Sequence, residues 1–279
     1  MLIAVHNGVM HADDLIFVSL IKKEYYGIPI KIIRTRDEQE LNKADIIGDV
    51  GLKYDGVRWF DHHQTSVPTY SNGIKMSACG LYLKSMKSLT EEEKQYLLNK
   101  ALYSVQANDN GQNLIDLNIN LPANPFSFVT LLNNNWKIGV YNKQQDNAFH
   151  NALFMVQEIL DRLIINAQLN IKVKEQIKTA VERWQSDIID IGDYCPWNEE
   201  IININNGIPI FKIVMYRSDD NQYCVQTVNK AIDSYDSWVS IPEDVSKLEG
   251  FLFRHKSGFL AKFNNYDSAY QAATLAISR

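Results

Sequence analysis

Two short stretches hold most of the side chains able to bind a metal ion or move a proton. The first is His6-Asn7-Gly8-Val9-Met10-His11-Ala12-Asp13-Asp14 and the second is Phe60-Asp61-His62-His63-Gln64. Four of the six histidines of the 279-residue chain lie in them. Each follows a short apolar, β-branched or aromatic run, Leu2 to Val5 and Val57 to Phe60. Between them Ile46-Ile47-Gly48-Asp49-Val50-Gly51 reads as a further buried strand that ends in an aspartate. Three strand ends thus deliver imidazoles and carboxylates, and open α/β sheets bind ligands at strand carboxyl ends. A hydrolytic two-metal site needs such donors, with one carboxylate bridging ions about 3.5–4 Å apart. His6, His11, Asp13, Asp49, Asp61, His62, His63 and the later Asp109 are the candidates, and Asp49 is the one placed to bridge. Taken singly, each has a plainer reading. A strand-end histidine can be a satisfied core or surface residue, Asp13 a helix cap and Asp49 a turn former. Their joint occurrence at strand ends is what points to a metal-dependent hydrolase.

The elements that must position these residues follow from the apolar pattern. Leu2 to Val5 reads as a strand. Leu15 to Ile21, continuing toward Tyr26, reads as a helix buried on most of its circumference and stopped by Gly27 and Pro29. Asp13 and Asp14 then fall in its first turn, where the helix dipole favours carboxylates. Ile30 to Arg34 and Ala44 to Val50 read as strands around a short helix from Asp37 to Lys43. That order predicts an α/β fold with a doubly wound, mostly parallel sheet. Lys53 to Trp59 suggests a hairpin returning into Asp61-His62-His63. Helices are expected over 77–86, 90–105, 126–132 and from Asn147 to about Ile189, with Thr90-Glu91-Glu92-Glu93 as a capping-box start. In the last of these, Phe149, Leu153, Val156, Ile159, Leu160, Leu163 and Ile164 form a stripe suited to packing. Beyond Cys195-Pro196-Trp197, strands over 209–216, 223–228 and 250–253 and a closing helix over 268–277 indicate a smaller α+β domain. The expected division is a metal-binding domain over 1–145, a helical connector over 146–190 and a smaller substrate-binding domain over 191–279. The connector helix equally offers a surface for a homodimer. The Asn-rich patches at Asn133-Asn134-Asn135 and Asn203-Ile204-Asn205-Asn206 read as loops.

Composition narrows the class. A net charge of -5 argues against a wholly basic surface for long nucleic acid. Cys79, Cys195 and Cys224 are odd in number and form no C-x-x-C pair, so neither a disulfide framework nor a zinc knuckle is expected. Four apolar residues before His6 are too few for a signal-peptide core, and no apolar run is long enough for a membrane span. The expectation is a soluble cytoplasmic protein.

Asp61-His62-His63 resembles the signature of the DHH phosphoesterase superfamily. A longer ordered series resembles the melanocyte-proliferating-gene family of metal-dependent hydrolases within it. That series runs His6-Asn7-Gly8 with His11-x-Asp13, Arg34-Thr35-Arg36-Asp37, Asp49-Val50-Gly51 and Phe60-Asp61-His62-His63-Gln64. It continues with Ser77-Ala78-Cys79-Gly80-Leu81, Asp109-Asn110-Gly111, Cys195-Pro196-Trp197 and His255-Lys256-Ser257-Gly258-Phe259. The resemblance implies a DHH-type sheet and a manganese-dependent phosphohydrolase with two ions per site, Mg2+ or Co2+ being able to substitute; the family includes an RNA exonuclease. It assigns His6, His11 and Asp49 to one ion, and Asp13, Asp49, His62 and Asp109 to the other. Asn7, Asp61 and His63 join the catalytic group, with Asp61 orienting a ligand and His63 facing the substrate phosphate. A water shared by the ions is the implied nucleophile.

Arg34, Arg36, His255 and Lys262 are the further substrate contacts. Arginine forks suit phosphate, although Arg34 or Arg36 would serve a salt bridge with Asp37 or Glu38 equally well, and His255 alone could be a loop histidine. The chain departs from the family pattern at Met10, Asp14 and Ala261-Lys262, where members tend to carry Phe, Glu and Gly-Gly. None of these replaces an implied ligand, but the last puts the second domain's substrate choice in doubt. The leading expectation is hydrolysis of phosphodiesters in RNA, short oligonucleotides or a nucleotide. Hydrolysis of a small phosphoanhydride such as pyrophosphate, and a non-catalytic metal-binding regulatory role, are the competing readings.

Overall fold

Strand β1 (Leu2–Val5) shows why helices cover both faces of the first sheet. Ile3 and Val5 join the apolar cluster that contains helix α1 (Ala12–Glu24), whereas Ala4 joins Leu41, Ala44 and Ile47 in another. Successive strand side chains face opposite ways, so both faces are apolar and both must be covered. The structure is a computed structural model that describes residues 1–64, 66–112, 125–133, 141–184, 186–218 and 220–278.

Strands β2 (Lys31–Arg34), β3 (Ile46–Gly48) and β4 (Trp59–Phe60) complete a parallel sheet in the order β2-β1-β3-β4. This is the doubly wound arrangement expected from the order of elements. The chain leaves β1 toward β2 on one side and later places β3 on the other, which opens a crevice at the carboxyl ends of β1 and β3. Every residue of α1 from Asp13 to Ile21 is buried, and Phe17 lies so close to β3 that a Cβ on Gly48 would come within 2.3 Å of its ring. Helix α2 (Glu38–Leu41) is started by Asp37, whose carboxylate accepts the amides of Gln39 and Glu40. The stretch before β4 is a turn in which the Asp55 carboxylate accepts the amides of Val57, Arg58 and Trp59, closed by an antiparallel bridge between Tyr54 and Phe60.

Helices α3 (Ala78–Ser85) and α4 (Glu91–Leu97) follow, the latter with the reciprocal Thr90–Glu93 cap. A π-helical turn over Leu98–Leu102 leads into α5 (Tyr103–Asp109), which ends on a candidate ligand. Then come α6 (Pro125–Asn133) and the long α7 (Tyr141–Arg183). The chain divides into two compact units, Met1–Gln168 and Leu169–Arg279, and the division falls inside α7. The stripe from Phe149 to Ile164 packs in the core of the first unit, and Val173, Ile177 and Ala180 in that of the second.

The second unit has a five-stranded sheet ordered β5-β6-β7-β9-β8, formed by β5 (Ile188–Asp193), β6 (Ile213–Arg217), β7 (Tyr223–Thr227), β8 (Phe251–Arg254) and β9 (Leu260–Phe263). Only β5 and β6 run parallel. Helices α8 (Asn198–Asn205) and α9 (Tyr266–Ile277) pack with it. Three expectations are corrected here. The helix drawn to about Ile189 stops at Arg183, because Ile188, Ile189 and Ile191 are core residues of a strand. Strand β9 was not anticipated. Asn203 to Asn206, read as a loop, forms the end of α8: Asn205 is buried and Asn206 closes the helix in the left-handed conformation at φ 42°. In the other patch Asn133 ends α6, and positions 134 and 135 lie outside the described residues. Among the described residues no helix is long and apolar enough to cross a membrane.

Candidate metal centre

His6, Asp49 and Asp61-His62-His63 directly follow β1, β3 and β4, so the order of the sheet sets Asp49 in the middle. Asp49 takes a left-handed backbone at φ 57°, a conformation Asp tolerates better than most residues, and its amide donates to the Phe60 carbonyl at 3.2 Å. Its two carboxylate oxygens part company. Oδ2 lies 3.2 Å from His6 Nε2, and Oδ1 lies 3.1 Å from His62 Nε2. Asp109, at the end of α5, brings Oδ2 to 2.9 Å from His62 Nε2 and Oδ1 to 3.6 Å from His11 Nδ1. One donor atom from each of His6, His11 and Asp49 fits within a 4.8 Å span, as does one from each of Asp13, Asp49, His62 and Asp109. Asp49 belongs to both groups.

The histidines are oriented for metal binding by what their other nitrogens touch. His6 Nδ1 lies 2.9 Å from the Asn7 carbonyl, which can only accept, so Nδ1 carries the proton and Nε2 is left facing carboxylates. His62 Nδ1 lies 3.2 Å from Asn110 Oδ1, while the Asn110 amide nitrogen donates to the carbonyls of Lys75 and Gln106. Asn110 thereby fixes the His62 ring in the manner of outer partners of metal-bound imidazoles. His6 Nε2, Asp14 Oδ2 and Asp49 Oδ2 are buried without hydrogen-bond partners, and both carboxylate oxygens lie 3.2 Å from the nitrogen. Buried polar atoms rarely go unsatisfied, and two carboxylate oxygens converging on one imidazole nitrogen call for positive charge there, a proton on His6 or a metal cation in its place. The residues present therefore fit a pair of divalent ions.

The titration behaviour points the same way. Burial works against a charged His6, yet Asp49 and Asp14 overcome it and push its pKa up to about 9. Burial likewise opposes a charged His62, but Asp109 and Asp49 carry it up to about 11. Burial and the neighbouring carboxylates raise Asp13 to about 7; burial, partly offset by His6, raises Asp14 to about 8. Asp49 is held well below the usual carboxylate range, its burial outweighed by His6 and His62. Carboxylates that favour protonated imidazoles to this degree would equally favour a divalent cation in place of the protons. Burial holds His11 below its ordinary pKa, which leaves it neutral and able to ligate.

Asp13 does not cap its own helix, whose first amide bond, from His11, goes to Asp14. The Asp13 carboxylate accepts from the Ser77 hydroxyl and from the amides of Ala78 and Cys79 at 2.9 Å, so it sits on the amino end of α3. Asp61 accepts the amides of Leu52, His62 and His63, and its Oδ1 lies 2.7 Å from His63 Nδ1. It organises the turn and stands outside the two ligand groups. Its pKa is lowered because these hydrogen bonds outweigh its burial. His63 is half exposed and has a raised pKa, chiefly from Asp61. Asn7 contributes its carbonyl through His6.

The proposed substrate contacts are placed unevenly. Arg34 is buried and bonded to Asp146 and to the Gly8 carbonyl, while Arg36 is exposed. In the second unit His255 sits in the β8–β9 turn, its Nδ1 2.9 Å from the Ser257 hydroxyl and its ring against Phe259. Lys262 lies on β9, 3.9 Å from Asp220. Asn110, Ser77 and Asp14 were given no role by the sequence. The available signals were the ordered motif series, which contains Ser77 and Asn110, and the first cluster, which ends in Asp14.

The family model MYG1_exonuc, described as "Uncharacterised protein family (UPF0160)", matches residues 2–277. The chain belongs to this family. It is the melanocyte-proliferating-gene family that the ordered motif series resembles. The chain is similar to a MYG1 protein of Schizosaccharomyces pombe, with 25% identity over 99% of this chain and 97% of that one. It is similar to the MYG1 exonuclease of Homo sapiens at 26% identity, over 99% of this chain and 86% of the relative. Among solved structures, a pGpG-specific phosphodiesterase from Vibrio covers 99% of this chain and 97% of its own at 15% identity and a TM-score of 0.31, too low to carry an argument.

Proposed function

We propose that the first unit is a two-ion phosphohydrolase that cleaves phosphodiester bonds in RNA, short oligonucleotides or a nucleotide. The observation that carries this reading is the division of the Asp49 carboxylate, one oxygen toward His6 and the other toward His62. A carboxylate so placed suits a bridge between two ions and has no comparable use in a single-ion site. His6, His11 and Asp49 would hold one ion, and Asp13, Asp49, His62 and Asp109 the other; mixed oxygen and imidazole donors suit Mn2+. When bound, the ions would lower the pKa of a water and withdraw charge from the phosphoryl oxygens.

The chain's own residues supply the rest. Asp61 fixes the backbone of His62 and the ring of His63. His63, its pKa raised by Asp61 and its ring half exposed, would donate to a substrate phosphate. Arg36, exposed in the first unit, is proposed to meet the remaining anionic charge. The name of the human relative, MYG1 exonuclease, supports a nuclease, and the net charge of -5 favours short substrates over long duplexes.

The test is hydrolysis of bis-p-nitrophenyl phosphate and of a 5′-labelled RNA with Mn2+, with EDTA, and with Asp49→Ala. Cleavage that needs Mn2+ and is lost in the variant supports the reading. Turnover of pyrophosphate alone would move the substrate to phosphoanhydrides. Mn2+ binding with turnover of none of the three would overturn an enzymatic role.

A further inference from the structure

Arg34 is among the arginines that the sequence offers to phosphate, but its surroundings argue for other work. Its side chain is only 2% exposed at the end of β2. Nη1 donates to Asp146 Oδ1 at 2.9 Å, Nη2 donates to the Gly8 carbonyl at 2.8 Å, and the guanidinium carbon lies 4.7 Å from the centre of the Phe149 ring. With both terminal nitrogens bonded and its unpartnered Nε buried, a side chain 2% exposed turns no donor fork toward solvent for a phosphate. What it holds is the turn between His6 and His11. Gly8 takes φ 98° there, a backbone that bulkier residues rarely adopt, so the direction of its carbonyl is a property of the turn itself. Two further hydrogen bonds of this turn, His6 Nδ1 to the Asn7 carbonyl and the His11 amide to Asp14 Oδ1, are local. The Gly8–Arg34–Asp146 chain ties the turn to α7.

We propose that Arg34 is a positioning residue for the first ion, fixing the turn that presents His6 and His11 by clamping the Gly8 carbonyl against Asp146. This rests on the two-ion reading above. Lysine keeps the charge but is a single point donor, so it cannot span both partners as the planar fork does.

The experiment titrates EDTA-stripped protein with Mn2+ by calorimetry and by the electron paramagnetic resonance signal of free Mn2+. It compares wild type with Arg34→Lys, Asp146→Asn and Asp146→Glu. Arg34→Lys is expected to weaken one of two Mn2+ sites about 10–100-fold, the usual effect of losing an outer partner of a metal ligand, and to leave the other unchanged. Asp146→Asn should weaken the same site by less, and Asp146→Glu should restore it. Asp146 is 43% exposed, so its variants report even if Arg34→Lys fails to fold. Unchanged Mn2+ affinities with a raised KM would make Arg34 a phosphate contact and overturn the proposal. An equal loss at both sites together with a lowered Tm would make it a general structural residue and also overturn it. Wild type that binds fewer than two ions would refute the two-ion reading itself, a result visible before any variant is compared.

Discussion

Two groups of buried polar side chains, one in each unit, are treated in opposite ways. In the second, Asn205 is buried and fully satisfied: its Oδ1 accepts the Phe211 amide at 2.9 Å and its Nδ2 donates to the Phe211 carbonyl at 2.7 Å. That pairing closes the stretch between α8 and β6 and leaves nothing over for a ligand. In the first unit, His6, Asp14 and Asp49 are as deeply buried, yet they turn unpartnered atoms toward one another. The first pattern serves folding. The second needs added positive charge, protons in the ion-free protein or a metal cation in their place, and that need is what a ligand site has and a folding contact lacks.

Removing the centre of that second pattern gives the largest expected effect. Asp49→Ala should abolish Mn2+-dependent hydrolysis and remove the bridging oxygens from both ion sites, seen as loss of both calorimetric binding phases. Survival of two tight phases would break the contrast drawn here. Asn110→Ala leaves every ligand in place but frees the His62 ring, so Mn2+ affinity at the second ion should fall about 10–100-fold. Calorimetry that finds no change would show that His62 does not need its outer partner. Asn205→Ala sharpens the contrast from the other side. It strands the Phe211 amide and carbonyl, and should cost about 1–3 kcal/mol in a denaturant titration while leaving Mn2+ affinity alone.

The smallest effect, a graded one, is in pH. His6 at about 9, His62 at about 11, Asp14 at about 8 and Asp13 at about 7 all hold protons more tightly folded than unfolded. Each raised group contributes stability that is full below its ordinary pKa and is lost as pH rises through the raised value. Asp49, with its lowered pKa, has the opposite sign and acts only in acid. The Tm of EDTA-treated protein should therefore fall with pH once the ordinary aspartate value of 3.8 is passed, and most steeply from about pH 6.5 to 9, where the histidines join. Mn2+ should flatten that slope, because it replaces the protons, and its affinity should rise over the same window. A Tm that climbs with pH in the absence of metal would show that these histidines are not proton-loaded.

Much of the first unit was legible in the chain. The alternation of short apolar runs with a fully apolar helix such as Leu15 to Ile21 allows few folds other than a covered parallel sheet, and chemistry-bearing residues at strand ends then share one edge. The second unit was read less well. β9 alternates Leu260, Ala261, Lys262 and Phe263, too short and mixed a pattern to stand out, and α8 is built from Asn and Ile, which form helices reluctantly on their own. Tertiary burial of Ile201 and Ile202 decided that helix.

For the site, residue type and order along the chain determined which side chains could ligate, since donor chemistry is local to the residue. Tertiary structure alone decided how they are used. It divided the Asp49 oxygens between two histidines, set Asp13 on the amino end of a helix 64 positions further on, and engaged Arg34 with Gly8 and with Asp146 112 positions away. Those contacts depend on packing between distant segments, and no spacing along the chain encodes them.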